Sequence, residues 1–138
     1  MSRVVENQQN SPSCRGRASR RFAVNITALE KVKKTIPDMA GAAGIYKQIP
    51  ISKENGTPTF SFRVFTIEPG GHTPLHKHQF EHLNYIIEGN GIVMEENREH
   101  AVKKGDFIMV LPGETHQYRN VSTSNQLVII CAVPKEYE

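Results

Sequence analysis

The sequence predicts an all-β fold, a double-sheet jelly roll forming one domain, and three observations carry that expectation. Apolar residues come in short runs rich in Val, Ile, Phe and Tyr, residue types that pack well on a pleated surface. Ten glycines and eight prolines punctuate the runs, a density of breakers that suits many turns between strands and argues against a helical bundle. At 138 residues the chain is large enough to bury a core without disulfide support.

Taken in order, the elements begin with a segment of different material. Residues 1–21 hold five arginines against one glutamate, with Ser, Asn and Gln and almost no apolar content, a composition that reads as a disordered basic tail. The tail carries +4 of a net charge of +3, so residues 22–138 balance at −1. The folded domain is assigned to 22–138, and nucleic acid is not expected as its partner. A short helix is expected over 27–34, because Thr27 and Glu30 have the spacing of a capping box and Pro37 lies just past the end. Strands are expected over 46–51, 60–67, 75–78, 82–87, 92–95, 107–111, 116–120 and 127–133. Glu88-Gly89-Asn90-Gly91 makes a hairpin bend, and the charged run 95–99 before His100 reads as a second hairpin.

Nothing in the chain is as specific as His76, His78, His82 and His116. A helix would turn His76 and His78 to nearly opposite sides, whereas residues two apart on a strand share a face. Pro74 also disfavours a helix through this segment. His82 then opens the next strand, facing back across a short turn. His116 follows the bend Leu111-Pro112-Gly113, and a barrel in which distant strands are neighbours brings it to the other three. Such a cluster suits one metal ion. Asn84 and Ile86 share the face of His82, and Tyr118 that of His116, so these three are expected to line the same pocket. Glu81 faces away from His82, while His72 and His100 read as surface residues.

Two segments between Gly70 and Asn120 resemble the paired motifs of the cupin superfamily. The first motif runs glycine, five residues, His-x-His, three or four residues, glutamate, six residues, glycine. Here Gly70 leads to His76-Lys77-His78, then to His82 and Gly89 with every spacing kept. The second runs glycine, five residues, Pro-x-Gly, two residues, histidine, three residues, asparagine, matched by Gly105, Leu111-Pro112-Gly113, His116 and Asn120. Leu111 stands in the proline slot, and His82 stands in the glutamate slot. The resemblance implies a double-stranded β-helix barrel over about 22–138, with a short N-terminal helix or extension. It also implies a homodimer and one divalent metal on His76, His78, His82 and His116.

The histidine in the glutamate slot alters the expected chemistry. Three histidines with a carboxylate leave a divalent ion at about +1, and four neutral imidazoles leave it at about +2, more electron-poor and better suited to anionic or chelating ligands. The metal is expected to be Mn, Fe, Cu, Ni or Zn. Two function classes follow from the resemblance. One is a small metalloenzyme, an oxygenase, isomerase, decarboxylase or lyase acting on an oxygen-rich small molecule. The other is a non-catalytic module that binds or senses a small acid or sugar. No catalytic side chain is assigned, because no general base stands out in the expected pocket.

Other readings are weaker. His78-Gln79-Phe80-Glu81-His82 spells H-x-x-E-H, but that zinc-protease motif needs a sustained helix, and glycines and Pro74 surround this segment. No apolar run reaches the length of a signal peptide or membrane span, so no membrane partner and a cytoplasmic location are expected. Cys14 lies in the tail, and Cys131, within an apolar run, is expected to be a buried structural thiol.

Overall fold

The structure, a computed structural model, describes residues 24–138. The predicted basic tail over 1–21, with Cys14 in it, lies outside the described residues. Eight strands form one curled antiparallel sheet: β1 (Ala43–Ile51), β2 (Phe60–His72), β3 (His82–Glu88), β4 (Asn90–Glu95), β5 (Arg98–Lys103), β6 (Phe107–Val110), β7 (His116–Arg119) and β8 (Leu127–Pro134). Their spatial order is β5-β4-β7-β2-β8-β3-β6, with β1 on the other edge of β2. This is the all-β jelly roll expected from the spacing of strands and turns.

The long strand β2 joins the two halves. Its first part, Phe60 to Ile67, pairs residue by residue with β8, and its end at His72 pairs with Arg119 of β7. One strand thus serves two neighbours, and β7 is carried to the mouth of the site. On β3 the burial alternates strictly, with His82, Asn84 and Ile86 inside, as a period of two demands when one face meets a core. Ile67, Ile86 and Leu127 are fully buried in the main core cluster, with Ile45, Val93, Val102, Tyr118 and Ile129 around them. A smaller cluster of Phe65, Cys131 and Val133 lies beside it.

Several expected elements differ. Instead of a helix over 27–34 there is one 3-10 turn at Leu29–Lys31, preceded by an uncapped Ala28. The Thr27 hydroxyl donates to Asn25 Oδ1 at 3.1 Å, away from the turn. Buried Gln48 donates its amide N–H groups to the carbonyls of Leu29 at 2.9 Å and Val32 at 2.8 Å, occupying acceptors that a longer helix would need. The expected strand at 75–78 reduces to an isolated bridge between His76 and His116. Pro74 brings no N–H to a ladder, and the His78 carbonyl accepts from Gly113 N of the second bend. Conversely β5 is a full strand, paired with β4 along its length; only Val102 on it is buried, so it carries little apolar pattern to announce it. His100 lies there, exposed, 2.9 Å from Glu95.

The bend after β3 depends on glycine. Gly89 has φ +82°, and a Cβ there would run into the carbonyl oxygen of Gln126. Gly105 has φ +97° but open space around it. We expect Gly89→Ala to cost about 2–3 kcal/mol by thermal unfolding and Gly105→Ala about 1 kcal/mol, since only the first adds a backbone clash to the strain of positive φ. Equal costs would remove the clash from the account.

Candidate metal centre

Two hydrogen bonds first bring the histidines together. His76 N donates to His116 O at 3.1 Å and His116 N returns the bond to His76 O at 2.9 Å, so the two motif segments are stitched at the ligand positions themselves. His78 follows two residues on, its carbonyl held by Gly113 N at 2.8 Å. His82 opens β3 with its side chain inside.

The side-chain geometry then separates three histidines from the fourth. His76 Nδ1 donates to Pro74 O at 2.9 Å, His78 Nδ1 to Phe80 O at 2.6 Å and His116 Nδ1 to Glu114 O at 2.9 Å. A backbone carbonyl can only accept, so each bond sets the proton on Nδ1 and leaves the Nε2 lone pair free. Ligand atoms of His76, His78 and His116 all lie within 4.8 Å of one another. His78 Nε2 and His116 Nε2 are buried without any hydrogen-bond partner, a condition that calls for an occupant in the gap. Three convergent imidazole nitrogens, two of them buried, fit a divalent transition metal, which bound there would act as Lewis acid or redox centre.

His82 is packed against this trio, with its ring 4.1 Å from that of His78 and 5.3 Å from that of His116. Its Nε2 accepts from Arg63 Nη2 at 3.1 Å. Burial chiefly, then the Arg63 guanidinium, pushes the His82 pKa down from 6.5 to about 2. Burial likewise lowers His78 and His116. All three are therefore neutral at pH 7, the form a metal needs.

A cavity of about 80 Å³ lies over these rings. Asn84 and Tyr118 line it, joined by a bond of 2.6 Å from Asn84 Nδ2 to the Tyr118 hydroxyl. Ile86 does not; it shares the face of His82, as expected, but lies deeper, fully buried in the main core. Parity fixes the face, and distance along the strand decides between pocket and core. Glu81 is absent from the lining, and no helix covers 78–82, so the H-x-x-E-H arrangement does not form. His72 sits at the end of β2, half-buried, its Nδ1 donating to Thr73 O at 3.1 Å.

Further lining residues were not expected from the sequence: Met39, Arg63, Phe65, Phe80 and Cys131. Met39 comes from the segment before β1 and touches both core clusters. Phe80 is stacked between the His78 ring and Tyr137, at 4.0 Å from each, and so holds that imidazole in place. Cys131 is buried as expected, yet it also faces the cavity, and burial raises its pKa so that it remains a thiol. One signal was available, since Arg63 is a charged residue inside an apolar strand, where a cation needs a purpose.

These features have a recognised frame. Residues 63–133, more than half the chain, match the family model described as a cupin domain. The chain belongs to the cupin family. A curated relative, the 1-methylthio-D-xylulose 5-phosphate methylsulfurylase of Rhodospirillum rubrum, is 32% identical over 78 residues, covering 56% of this chain and 49% of its own length. The oxalate-binding protein of Thermotoga maritima is 29% identical over 65 residues, covering 46% and 54% respectively. The chain thus spans about half the length of the curated relatives it matches. Among solved structures, the polyketide cyclase RemF from Streptomyces resistomycificus superposes with a TM-score of 0.77 at 24% identity, over 82% of this chain and 80% of that one. At that identity the likeness concerns the cupin fold alone.

The depressed histidine pKa values carry a stability consequence for the metal-free cupin. Where the folded pKa lies below the unfolded one, the unfolded chain binds more protons, and stability falls as pH drops. For His82 the loss starts near 6.5 and runs toward about 2. Metal-free protein is expected to lose about 2 kcal/mol between pH 6.5 and 4.5 through this group. Urea unfolding at several pH values would measure it, and a profile no steeper in wild type than in His82→Gln would show that His82 titrates normally.

Proposed function

We propose that this cupin binds one divalent transition metal through His76, His78 and His116, with His82 as the fourth ligand, and that the ion takes a small, oxygen-rich anionic molecule as substrate. The observation that carries this reading is the pair of buried, unpartnered Nε2 atoms on His78 and His116 beside a third free imidazole nitrogen. Zn, Cu, Fe and Ni suit an imidazole shell, and Mn stays among the candidates through the likeness to other cupins. The size of the cavity limits the ligand: about 80 Å³ is well under the ~150 Å³ of an apolar cavity that takes benzene, so only a few atoms, or the chelating end of a longer molecule, fit inside.

Within this reading the chain's own groups orient the substrate more than they move protons. Among the described residues no acidic side chain lines the cavity, and burial raises the pKa values of Tyr118 and Cys131, so both are donors. The same observation favours a second reading, a module that holds a small acid without turnover, and the name of the oxalate-binding relative agrees with it. Metal content of protein purified without added metal, by inductively coupled plasma mass spectrometry, tests what the two readings share. Near one equivalent is expected; none, even after reconstitution, overturns both. Turnover of small oxo-acids by the loaded protein then separates enzyme from binding module.

The homodimer is part of the proposal. Phe62, Leu83, Phe107 and Met109 are exposed on the outer face of the adjacent strands β2-β8-β3-β6, and Tyr85, Ile130 and Ala132 continue the patch with no charged residue among them. An uncharged, apolar face can meet its own copy about a two-fold axis. A cytoplasmic location goes with this reading, which the free thiol of Cys131 suits. No helix among the described residues is long and apolar enough to cross a membrane.

A further inference from the structure

Arg63 is the most unusual residue of the cavity. It is 8% exposed and makes no ion pair among the described residues. Nη2 reaches His82 Nε2 at 3.1 Å and Cys131 Sγ at 3.2 Å, Nη1 reaches the Tyr137 carbonyl at 3.3 Å, and Nε has no acceptor. The guanidinium lies over the Phe65 ring at 5.1 Å. In a planar guanidinium the Nε–H and one Nη2–H bond point the same way and form the fork that a carboxylate fills bidentately. Here that fork is incomplete: Nη2 is shared between His82 and Cys131, and Nε rests on nothing. No acid lines the cavity among the described residues, so the guanidinium's charge has no counter-charge there.

We propose that Arg63 is the anion-binding residue of the site and that it exchanges partners when ligand arrives. A carboxylate seated on Nε and Nη2 satisfies the orphaned donor and withdraws Nη2 from His82. The His82 lone pair, which a hydrogen bond and a metal cannot share, then becomes free to join His76, His78 and His116. The ligand class is a small chelating carboxylate, one group on the guanidinium and one oxygen directed to the ion. Ligand binding and the fourth metal bond are thereby coupled, each strengthening the other. Asn84 Oδ1, also buried without a partner, offers an acceptor to a hydroxyl or the protonated oxygen of such a ligand. This inference rests on the metal centre proposed above.

The test uses cobalt-loaded protein and oxalate as the probe, with oxamide as its uncharged counterpart. Ring N–H protons of coordinated histidines give exchangeable, paramagnetically shifted signals. Three are expected in the wild type and four after oxalate, with oxamide leaving three. In Arg63→Met, four are expected without any addition, and oxalate affinity by calorimetry falls 10- to 100-fold. Arg63→Lys, which keeps charge but not the fork, lies between and guards against a folding defect in the methionine variant. Four signals in the resting wild type, or unchanged oxalate affinity in Arg63→Met that still holds cobalt, overturns the inference alone. Failure of the wild type to hold cobalt overturns the metal centre and this inference with it.

Discussion

Protein carrying His78→Ala is expected to leave purification with less than about a tenth of the wild-type metal, its affinity reduced about 1,000-fold, or about 4 kcal/mol. The size of the effect follows from how the ligand is held. His78 has its proton fixed on Nδ1 by Phe80 O and its ring clamped by the Phe80 side chain, so no reorientation is left to oppose metal binding. Alanine removes both a donor atom and the far wall of the gap around His116 Nε2. Glu81→Gln serves as the control, because Glu81 is outside the cavity lining and full metal content is expected. Metal lost equally from the two variants would mean that the carboxylate is a ligand and that β3 runs in a different register.

A comparably large change is expected in assembly. Phe107, 82% exposed, and Met109, 62% exposed, lie on the shortest of the outer-face strands. Under two-fold symmetry a substitution enters the interface twice, so burying the carboxylate of Phe107→Glu costs about 3 kcal/mol on each side and weakens the dimer about 10,000-fold. Sedimentation velocity is expected to show a dimer for the wild type and a monomer for the variant at micromolar concentration, with metal content unaffected. A wild-type monomer, or a dimeric variant, would assign the apolar face to something other than a second copy.

The parts of this molecule that were readable in advance are those whose information is local. Alternation along β3 placed His82, Asn84 and Ile86 on one inner face because a strand's period is two, and motif spacing picked out the histidines that the fold gathers. Depth was not readable, and so Ile86 was assigned to the pocket although it belongs to the core. Arg63 and Cys131 lie on β2 and β8, paired directly across the sheet, yet 68 residues apart in sequence; only the strand order makes them neighbours. β5 is marked in the sequence only by the hairpin at 95–99 and not by a strand pattern of its own, since Val102 is its one buried residue. The helix expected over 27–34 had a plausible cap, but Gln48 outbid it from a distant strand.

Strand β3 also shows how much of the cavity's polar lining hangs on the register of one strand. Its inner face passes from an imidazole through a carboxamide to a hydrocarbon within five residues, His82 to Ile86, and the outer residues Leu83, Tyr85 and Ile87 carry no charge. A single inserted residue before Gly89 would turn the strand over and present Leu83, Tyr85 and Ile87 inward. The barrel would keep a greasy interior and could still close. One slip would thus take the fourth imidazole and the Asn84 carboxamide out of the cavity at a stroke, while His76, His78 and His116, carried by other segments, kept their places.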